Sequence, residues 1–561
     1  MPRLPTSPFR LAALLVSLTA TAAVAAHNLA PNASRARAQK SPTTAAAAPR
    51  SNAQASTHVA QGVAALEGGD AATAKKFFQR ALTIDPKNVA AHTYLGALAD
   101  RAGELAEAER HFATAAQAAP RSPQALNNYG AILFRLGLAA QAAAQFEASL
   151  KLDARQPSAL VNLAQIRFAA GTLADLHAAR SLFERALAIA PDREIARSLT
   201  VIALRLSERD AAKTYYREYA SQPSGATDGA NVSPQSRAEL GAALLEAELF
   251  EEATAELEAA VAADPANVEI ILNLARGYRA RKDVASAGRL LEAAVARGLE
   301  AAPIYAALAD LYESIGRVEN AIPAMRLAVE RAPASEEYRF RYALLLINSQ
   351  APKAAVIRVQ EALQAFPRSA KLWFALGLAY MTEHRSAEAA PAFARAVELD
   401  PRAAPALAYL GLAHAEQGRY NEAIVFYERA VAVNEQLATV HYLLADILLK
   451  QNPTDTARPE KALLRAISLD PSLASARLAL GKLYLRTERL EAAVEQLGRA
   501  VALEPNSAET HYQLGRVYTR LKRTAEAQAA LAIFKRLNEG QKEQANNDRR
   551  EIVRRLANVH F

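Results

Sequence analysis

Residues 370–403, AKLWFALGLAYMTEHRSAEAAPAFARAVELDPRA, carry the pattern that decides the fold. Two stretches of this segment place apolar side chains every three or four positions, which is typical of amphipathic helices, and a short polar turn separates them. Pro401 follows Asp400 at the end of the second stretch, where its missing N–H group stops a helix. The positions that define the pattern are Trp373, Leu376, Gly377, Tyr380, Ala389, Phe393, Ala396 and Pro401.

The same pattern returns along the chain with a period of 34 residues. A proline that follows the second helical stretch marks the period, at Pro86, Pro120, Pro265, Pro333, Pro367, Pro401, Pro471 and Pro505. Thirteen units can be laid end to end, starting at residues 55, 89, 123, 157, 234, 268, 302, 336, 370, 404, 438, 474 and 508.

The eighth position of every unit is glycine or alanine. Two helices that approach closely leave no room for a larger side chain, so this restriction predicts that the two helices of each unit pack tightly. The residues concerned are Gly62, Gly96, Gly130, Ala164, Gly241, Ala275, Ala309, Ala343, Gly377, Gly411, Ala445, Gly481 and Gly515.

These residues and their period resemble the tetratricopeptide repeat (TPR) family. The resemblance implies an all-α fold, a right-handed superhelical solenoid of helix–turn–helix repeats whose first helices line a concave groove. It also implies partner binding rather than catalysis, with no cofactor. The repeats occupy nearly all of residues 55–541, which leaves no stretch of the ~100 residues that a separate catalytic domain needs. We find no phosphate-binding glycine loop and no metal-spaced histidine or cysteine cluster.

The repeats divide into two predicted blocks. Residues 55–220 hold four repeats and a degenerate helix pair between Glu194 and Ala220, and residues 234–541 hold nine repeats. Residues 221–233 contain Pro223, Gly225 and Gly229, which favours a flexible loop on which the blocks pivot. Residues 542–561 are predicted to form a capping helix with an apolar face made by Ile552, Val553 and Leu556.

The first 26 residues have the pattern of an export signal. Arg3 and Arg10 precede the apolar stretch Leu11–Ala26, which ends in the small residues that signal peptidases favour. The stretch is shorter than the ~20 residues of a membrane-spanning helix, although an uncleaved anchor in the inner membrane is the alternative. Residues 27–54 have no periodicity and predict a disordered spacer. We therefore expect an exported protein, periplasmic or secreted, with no transmembrane span after cleavage.

The net charge of +8 does not indicate a nucleic-acid partner, because of where it lies. Residues 1–54 carry six basic and no acidic residues, and residues 541–561 carry five basic and three acidic ones. The repeats between them therefore have no net charge, whereas binding to a phosphate backbone needs a broad basic surface.

Four histidines, His58, His92, His441 and His511, occupy the fourth position of a unit, where Trp373 stands in residues 370–403. This shared position predicts packing residues rather than metal ligands. His111, His177, His384 and His414 occur singly in the sequence.

Asparagines at the sixth position are the first candidates for partner contacts in the groove. Asn128, Asn162 and Asn273 resemble the asparagine ladder of the repeats in nucleocytoplasmic glycosyltransferases, where each amide donates to and accepts from a bound peptide backbone. The alternative is that these amides bond only to neighbouring helices.

Aromatic and basic residues are the other groove candidates. Phe340, Phe374, Tyr409 and Tyr442 recur at positions five or six and predict an aromatic row that anchors a partner, unless they pack in the core. Basic residues outnumber Asp446 near the C-terminal end and predict contact with an acidic segment of a partner, although a solvated charged face is equally consistent. They are Lys450, Lys482, Arg486, Arg516 and Arg520.

Three hypotheses of function follow. The first is an exported scaffold that binds partner proteins through extended or helical segments, in an envelope of the Gram-negative type. The second is a structural subunit of an envelope export or assembly machine. The third is a non-catalytic partner of a glycosyltransferase on another chain.

Overall fold

The computed structural model describes residues 50–222 and 233–538, and these residues form twenty-eight α-helices and no strand. The predicted all-α solenoid of helix–turn–helix repeats is thereby confirmed.

Three predicted segments lie wholly or mostly outside the described residues. They are the signal (1–26), most of the spacer (27–54) and the capping helix (542–561). The first helix begins at Arg50, inside the predicted spacer. The helices are α1 Arg50–Glu67, α2 Ala71–Ile84, α3 Val89–Arg101, α4 Leu105–Ala118, α5 Pro123–Arg135, α6 Ala139–Leu152, α7 Pro157–Ala170, α8 Leu173–Ile189, α9 Arg193–Arg205, α10 Arg209–Ser221, α11 Pro234–Glu246, α12 Phe250–Ala263, α13 Val268–Ala280, α14 Val284–Ala296, α15 Ala302–Ser314, α16 Val318–Arg331, α17 Glu336–Asn348, α18 Pro352–Ala365, α19 Ala370–Thr382, α20 Ser386–Leu399, α21 Ala404–Glu416, α22 Tyr420–Val433, α23 Ala438–Gln451, α24 Ala457–Leu469, α25 Ala474–Arg486, α26 Leu490–Leu503, α27 Ala508–Arg520 and α28 Thr524–Asn538.

Each odd-numbered helix packs along the helix that follows it. Thirteen of these hairpins begin at or within a few residues of the predicted repeat starts. The fourteenth, α9–α10, is the helix pair that the sequence shows as degenerate, and it is as regular a hairpin as the others. Its sequence departs from the repeat pattern because Thr200 replaces the small residue at the eighth position.

The eighth position is where the two helices of a hairpin come closest. A Cβ atom placed on Gly377 would lie 2.5 Å from Cε1 of Phe393, whose side chain is fully buried. Aromatic rings face glycine in the same way in four other hairpins, at Gly62, Gly96, Gly130 and Gly411. Ala275, Ala309 and Ala343 stand at the eighth position of units in which a smaller aliphatic residue replaces the ring sixteen residues later, at Leu291, Met325 and Val359. In these eight hairpins the smaller residue faces the larger one, whereas Gly241, Gly481 and Gly515 face leucine.

The fourth position of the unit supplies a side-chain N–H group to the turn that precedes the first helix. Trp373 Nε1 donates to the carbonyl oxygen of Pro367 at 3.0 Å, and Arg477 Nη2 donates to that of Pro471 at 2.9 Å. Histidine makes the same contact, always to the residue six positions earlier, so tryptophan, arginine and histidine are interchangeable here as donors. The histidine contacts are His92 to Pro86, His441 to Glu435 and His511 to Pro505. These three histidines are part of the scaffold, as predicted, whereas Nδ1 of the fourth, His58, lies 3.0 Å from Oε1 of Gln61 in an exposed position.

Replacement of His511 by phenylalanine is expected to lower the free energy of unfolding by about 0.5–1.5 kcal/mol, the usual net contribution of one hydrogen bond. His511 is buried, and its Nε2 lies 2.9 Å from the Pro505 oxygen, which phenylalanine would leave without this donor. His511→Arg should stay close to the parent, because arginine keeps the N–H group as Arg477 does. Urea unfolding followed by circular dichroism measures both changes, and equal losses for the two variants would contradict this role of the donor.

The chain divides into two compact units, Met1–Ala294 and Val295–Phe561. The predicted loop at 221–233 falls inside the first unit, and most of it lies outside the described residues, so the proposed pivot stays a prediction. The helices on its two sides share one core, in which Leu199 and Tyr219 pack in the same cluster as Leu240 and Leu244.

A buried polar cluster, which we call the Glu256 cluster, accompanies that core. Glu256 accepts hydrogen bonds from Tyr216 Oη at 3.1 Å, Tyr219 Oη at 3.4 Å and Arg237 Nη1 at 3.1 Å. Burial, reinforced by the charge of Glu256, raises the pKa of Tyr216 and keeps its hydroxyl protonated as a donor. The guanidinium of Arg193 lies 4.5 Å above the ring of Tyr219.

Candidate partner-binding surface

The predicted aromatic row does not form an exposed anchor. Phe340, Phe374 and Tyr409 are buried, and the ring of Phe374 lies 5.8 Å from that of Phe393 and 5.6 Å from that of Tyr409. Tyr442 is half-buried against the core of the last repeats. The prediction is wrong for the three buried residues. For Phe374 and Tyr409 the reason is that α19 and α21 are apolar on nearly all sides, and such helices are enclosed by their neighbours.

Each asparagine of the sixth position makes a hydrogen bond within the protein, although Nδ2 of Asn128 is buried with no partner among the described residues. Asn162 Nδ2 donates to Asn127 Oδ1 at 3.3 Å, which joins α7 to α5, so the pairing between neighbouring helices involves Asn127 rather than Asn128. Asn128 Oδ1 accepts from Gln124 Nε2 at 2.9 Å, and Asn273 Oδ1 accepts from Arg276 Nη1 at 3.4 Å. Contact with a peptide backbone stays a prediction for all three.

Ion pairs neutralise part of the predicted basic surface. Lys450 pairs with Asp446 at 2.7 Å, Lys482 pairs with Glu509 at 3.1 Å, and Arg520 pairs with Glu488. Asp446 is therefore not the only carboxylate that pairs with these cations. The sequence does not indicate the pairs of Glu488 and Glu509, because their partners lie 32 and 27 residues away along the chain.

Two of the five predicted cations keep their charge available. Arg486 and Arg516 are exposed, and neither has a carboxylate within ion-pair distance in the residues that the structure describes. Arg516 Nη1 donates to Gln513 Oε1 at 3.0 Å, and its guanidinium lies 5.8 Å from the ring of Tyr512.

Tyr512 is a further candidate that sequence analysis missed. Its side chain is 37% exposed, and its ring lies 5.0 Å from that of Phe534. It occupies the fifth position of the unit that starts at residue 508, and no further hairpin follows this unit in the residues that the structure describes. The fifth position of this unit is the sequence feature from which Tyr512 could have been identified. We call Arg486, Tyr512 and Arg516, together with Lys482 and Arg520, the C-terminal patch.

The C-terminal patch has excess positive charge. Four cations, Lys482, Arg486, Arg516 and Arg520, face two carboxylates, Glu488 and Glu509, which leaves a net charge of +2. Burial opposes ionisation of Glu509, but hydrogen bonds from Gln513 and Lys482 outweigh it and lower the pKa of this carboxyl. Glu509 is therefore an anion at neutral pH and does not reduce the positive excess by taking up a proton.

Other chemistry in the described residues is sparse. His92 and His111, which the sequence shows as unrelated, lie with their Nδ1 atoms 2.9 Å apart. Burial lowers the pKa of His111, with a further contribution from His92.

Within residues 50–222 and 233–538 no group of three or more histidines, cysteines or carboxylates is arranged to hold a metal ion. None of the helices described there has the length and apolar character needed to cross a bilayer.

Comparison with solved structures finds similar folds at low sequence identity. The Cut9–Hcn1 hetero-tetramer of APC/C is 15% identical over 90% of this chain and 96% of that chain, with a TM-score of 0.36. PilF of Pseudomonas aeruginosa is 21% identical over 39% of this chain and 96% of its own, with a TM-score of 0.34. YrrB, described as a TPR protein with an unusual peptide-binding site, is 20% identical over 33% of this chain and 95% of its own, with a TM-score of 0.29. No curated protein matches this sequence.

Family models match five segments in both units. Tetratricopeptide repeat models match residues 65–131, 302–335 and 370–403, and a TPR repeat model matches residues 411–452 and 486–522. Each match falls on hairpins whose packing is described above. Proteins with such repeats generally mediate protein–protein interactions, and their scaffold is typically non-catalytic. The chain is a tetratricopeptide-repeat protein.

Proposed function

We propose that this protein is an exported scaffold that binds an acidic segment of a partner protein at the C-terminal patch. The observation that carries the proposal is the exposure of Tyr512 next to Arg516, in a patch where neither Arg486 nor Arg516 has a carboxylate within ion-pair distance among the described residues. Tyrosine and arginine dominate the energetics of protein interfaces, because both combine a large contact area with hydrogen-bonding capacity.

The arrangement of the cations supports an extended acidic ligand. Lys482 and Arg486 lie one helical turn apart on α25, and Arg516 and Arg520 have the same spacing on α27. The two pairs stand side by side, since Lys482 reaches Glu509 on α27. A carboxylate that docks on Arg486 or Arg516 does not have to displace an existing ion pair, whereas one that docks on Lys482 or Arg520 does. Export from the cytosol remains part of this proposal and is supported by the signal-like pattern of residues 1–26.

The test uses fluorescence anisotropy with the full chain and a labelled peptide that alternates glutamate with leucine. Arg486→Ala combined with Arg516→Ala, and separately Tyr512→Ala, should each weaken binding about tenfold or more, which corresponds to ~1.4 kcal/mol. The control is Arg499→Ala, which removes an exposed arginine from the second helix α26, where it pairs with Glu495.

Two outcomes would contradict the proposal. One is equal affinity of the parent for the acidic peptide and for a peptide with glutamine in place of glutamate. The other is an equal loss of affinity in the Arg499→Ala control, which would indicate attraction by net charge and no specific site.

A further inference from the structure

Four exposed apolar residues occupy the same position in four successive repeats of the second unit. Each is the sixth residue of a second helix, and they are Pro323 of α16, Ile357 of α18, Pro391 of α20 and Val425 of α22. Ile357 and Val425 are 53% and 52% exposed, and both prolines are exposed as well. Equivalent positions of stacked repeats lie in line along a solenoid, so we call these four residues the second-helix row.

The second-helix row departs from the repeats before and after it. There the same position is charged and exposed, with Arg289, Lys461 and Glu495. The outward face of a helix normally carries such polar residues. Single apolar residues on a surface need no explanation, whereas an aligned set of them is typical of a site of protein interaction.

The two prolines of the row do not stabilise the fold. Pro323 and Pro391 lie inside α16 and α20, where proline cannot donate to the carbonyl group four residues earlier and its ring clashes with that group. Both side chains are exposed, so burial within the chain does not offset this cost. Residues that weaken their own helix without a gain in packing are expected to serve a function.

Opposite charges flank each member of the row. Residues three or four positions before and after it lie next to it on the surface of the same helix. In three helices the residue before is a glutamate and the residue after is an arginine, and all six are exposed. They are Glu319 and Arg326 in α16, Glu388 and Arg395 in α20, and Glu422 and Arg429 in α22.

The order of the charges is reversed in α18. Here Lys353 precedes Ile357 and Glu361 follows it, and both are exposed. The helix dipole favours acidic residues near the start of a helix and basic residues near its end. It therefore accounts for the other three helices but not for α18. The feature that all four helices share is one charge of each sign, placed on opposite sides of the row.

Local ion pairs leave these charges able to meet a partner. Glu361 pairs with Arg358 and Arg395 pairs with Glu398, each at 2.7 Å, and Arg326 and Glu388 have similar partners three or four residues away. The side chains of these pairs are between 44% and 62% exposed. Ion pairs with such exposure contribute little to stability, so exchanging one partner for another costs little.

We propose that the second-helix row joins two copies of this chain in a homodimer whose two-fold axis runs along the row. Each second helix then lies antiparallel to its own copy, so each apolar residue meets its counterpart and the charge before it faces the charge after it. Glu422 of one copy faces Arg429 of the other, and Lys353 faces Glu361. All four helices are self-complementary in this arrangement, whichever charge comes first.

A dimer in which the two rows run in opposite directions lacks this complementarity. It would place α16 beside α22, with Glu319 facing Glu422 and Arg326 facing Arg429, and like charges that face each other across an interface are unfavourable. The charges therefore favour parallel rows. The row lies on second helices and the C-terminal patch on the first helices α25 and α27, so this proposal does not depend on the proposed function.

Single-cysteine variants test the arrangement, because the chain has no cysteine of its own. A disulfide needs two Cα atoms within about 7 Å, which in a symmetric dimer only residues next to the two-fold axis satisfy. Ile357→Cys should form a covalent dimer on mild oxidation, seen by non-reducing electrophoresis. Val433→Cys is the matched control, since Val433 is 43% exposed on α22 but lies eight residues beyond Val425. That is ~12 Å along the helix, so this variant should stay monomeric.

Sedimentation equilibrium of the full chain measures the affinity. Small interfaces form weak dimers, so we expect a dissociation constant of ~1–100 μM. Ile357→Ser combined with Val425→Ser should raise it about tenfold or more, and so should Glu422→Arg, which places arginine opposite arginine. Glu422→Arg combined with Arg429→Glu should restore the parent affinity, because the exchanged pair has the order found in α18.

Several results would overturn the proposal. One is a parent chain that stays monomeric throughout this concentration range. Another is a disulfide that forms only in a mixture of Ile357→Cys and Pro391→Cys chains, which would indicate rows in opposite directions. Failure of the exchanged pair to dimerise better than Glu422→Arg alone would contradict the role of the charges. Loss of the dimer in Arg486→Ala would place the contact at the C-terminal patch instead.

Discussion

Replacement of Phe393 by alanine is expected to lower the free energy of unfolding of the second unit by about 3–5 kcal/mol, the usual cost of removing a buried aromatic ring. Phe393 is fully buried and fills the space above Gly377, and its ring also lies 5.8 Å from Phe374 and 5.4 Å from Tyr409. Alanine would remove contacts within the α19–α20 hairpin and with α21. Because repeats are stabilised by their neighbours, the loss should extend to the adjoining hairpins.

Trp373, the only tryptophan of the chain, lies on α19 and reports urea unfolding at this place by its fluorescence. Tyr512→Ala is the matched control, because it removes an exposed aromatic side chain from the same unit and should cost less than about 1 kcal/mol. A loss from Phe393→Ala that is no larger than that of Tyr512→Ala would contradict the packing described here.

A double substitution tests the size relation between the two positions. Gly377→Ala alone should be destabilising, since its Cβ would meet the Phe393 ring at 2.5 Å. With Phe393→Leu the pair would match Ala275 and Leu291 of an earlier unit. The double variant should then be more stable than the sum of the two single losses predicts, as is usual for residues in contact.

Most of the fold could be predicted from the sequence because each repeat is a local structure. The period, the proline that follows each second helix and the small residue at the eighth position all act within 34 residues of chain. The packing role of His92, His441 and His511 could also be inferred from their shared position. Their hydrogen bonds to the preceding turn could not be predicted. Tryptophan, arginine and histidine have different side chains, and their shared role as N–H donors is recognisable only when the position of the carbonyl acceptor is known.

The candidate surface was harder to predict because the exposure of its residues depends on how closely the first helices of neighbouring repeats approach each other. Phe374 and Tyr409 stand at positions that face the groove in the family, yet α19 and α21 enclose them. Tyr512 stands at an equivalent position and is exposed, because no further hairpin follows its unit in the described part of the chain. The ion pairs of Lys482 and Arg520 connect adjacent repeats, so charges had to be counted across units and not along one helix.

The second large effect is expected at the Glu256 cluster of the first unit. Glu256→Ala should lower the free energy of unfolding by about 3–5 kcal/mol, because it leaves the Arg237 guanidinium in a half-buried site without its counter-charge. It also removes the acceptor of the Tyr216 and Tyr219 hydroxyls, and both tyrosines are buried. Glu256→Gln keeps an acceptor oxygen and should cost less. Glu251→Ala, which removes an exposed glutamate five residues earlier on α12, is the control and should have little effect.

Hydrogen–deuterium exchange of the Glu256→Ala variant also tests whether the helices on the two sides of residues 223–232 act as one body. The hydrogen bonds of Glu256 join α12 to Tyr216 and Tyr219 on α10, so amide exchange should accelerate together in both helices. Faster exchange in α12 alone would show that the cluster does not couple them and would favour the pivot predicted from the sequence. Faster exchange in both helices would show that the loss of the Glu256 charge on α12 also loosens the packing of α10. A pivot between these helices would then have to disrupt the core that they share.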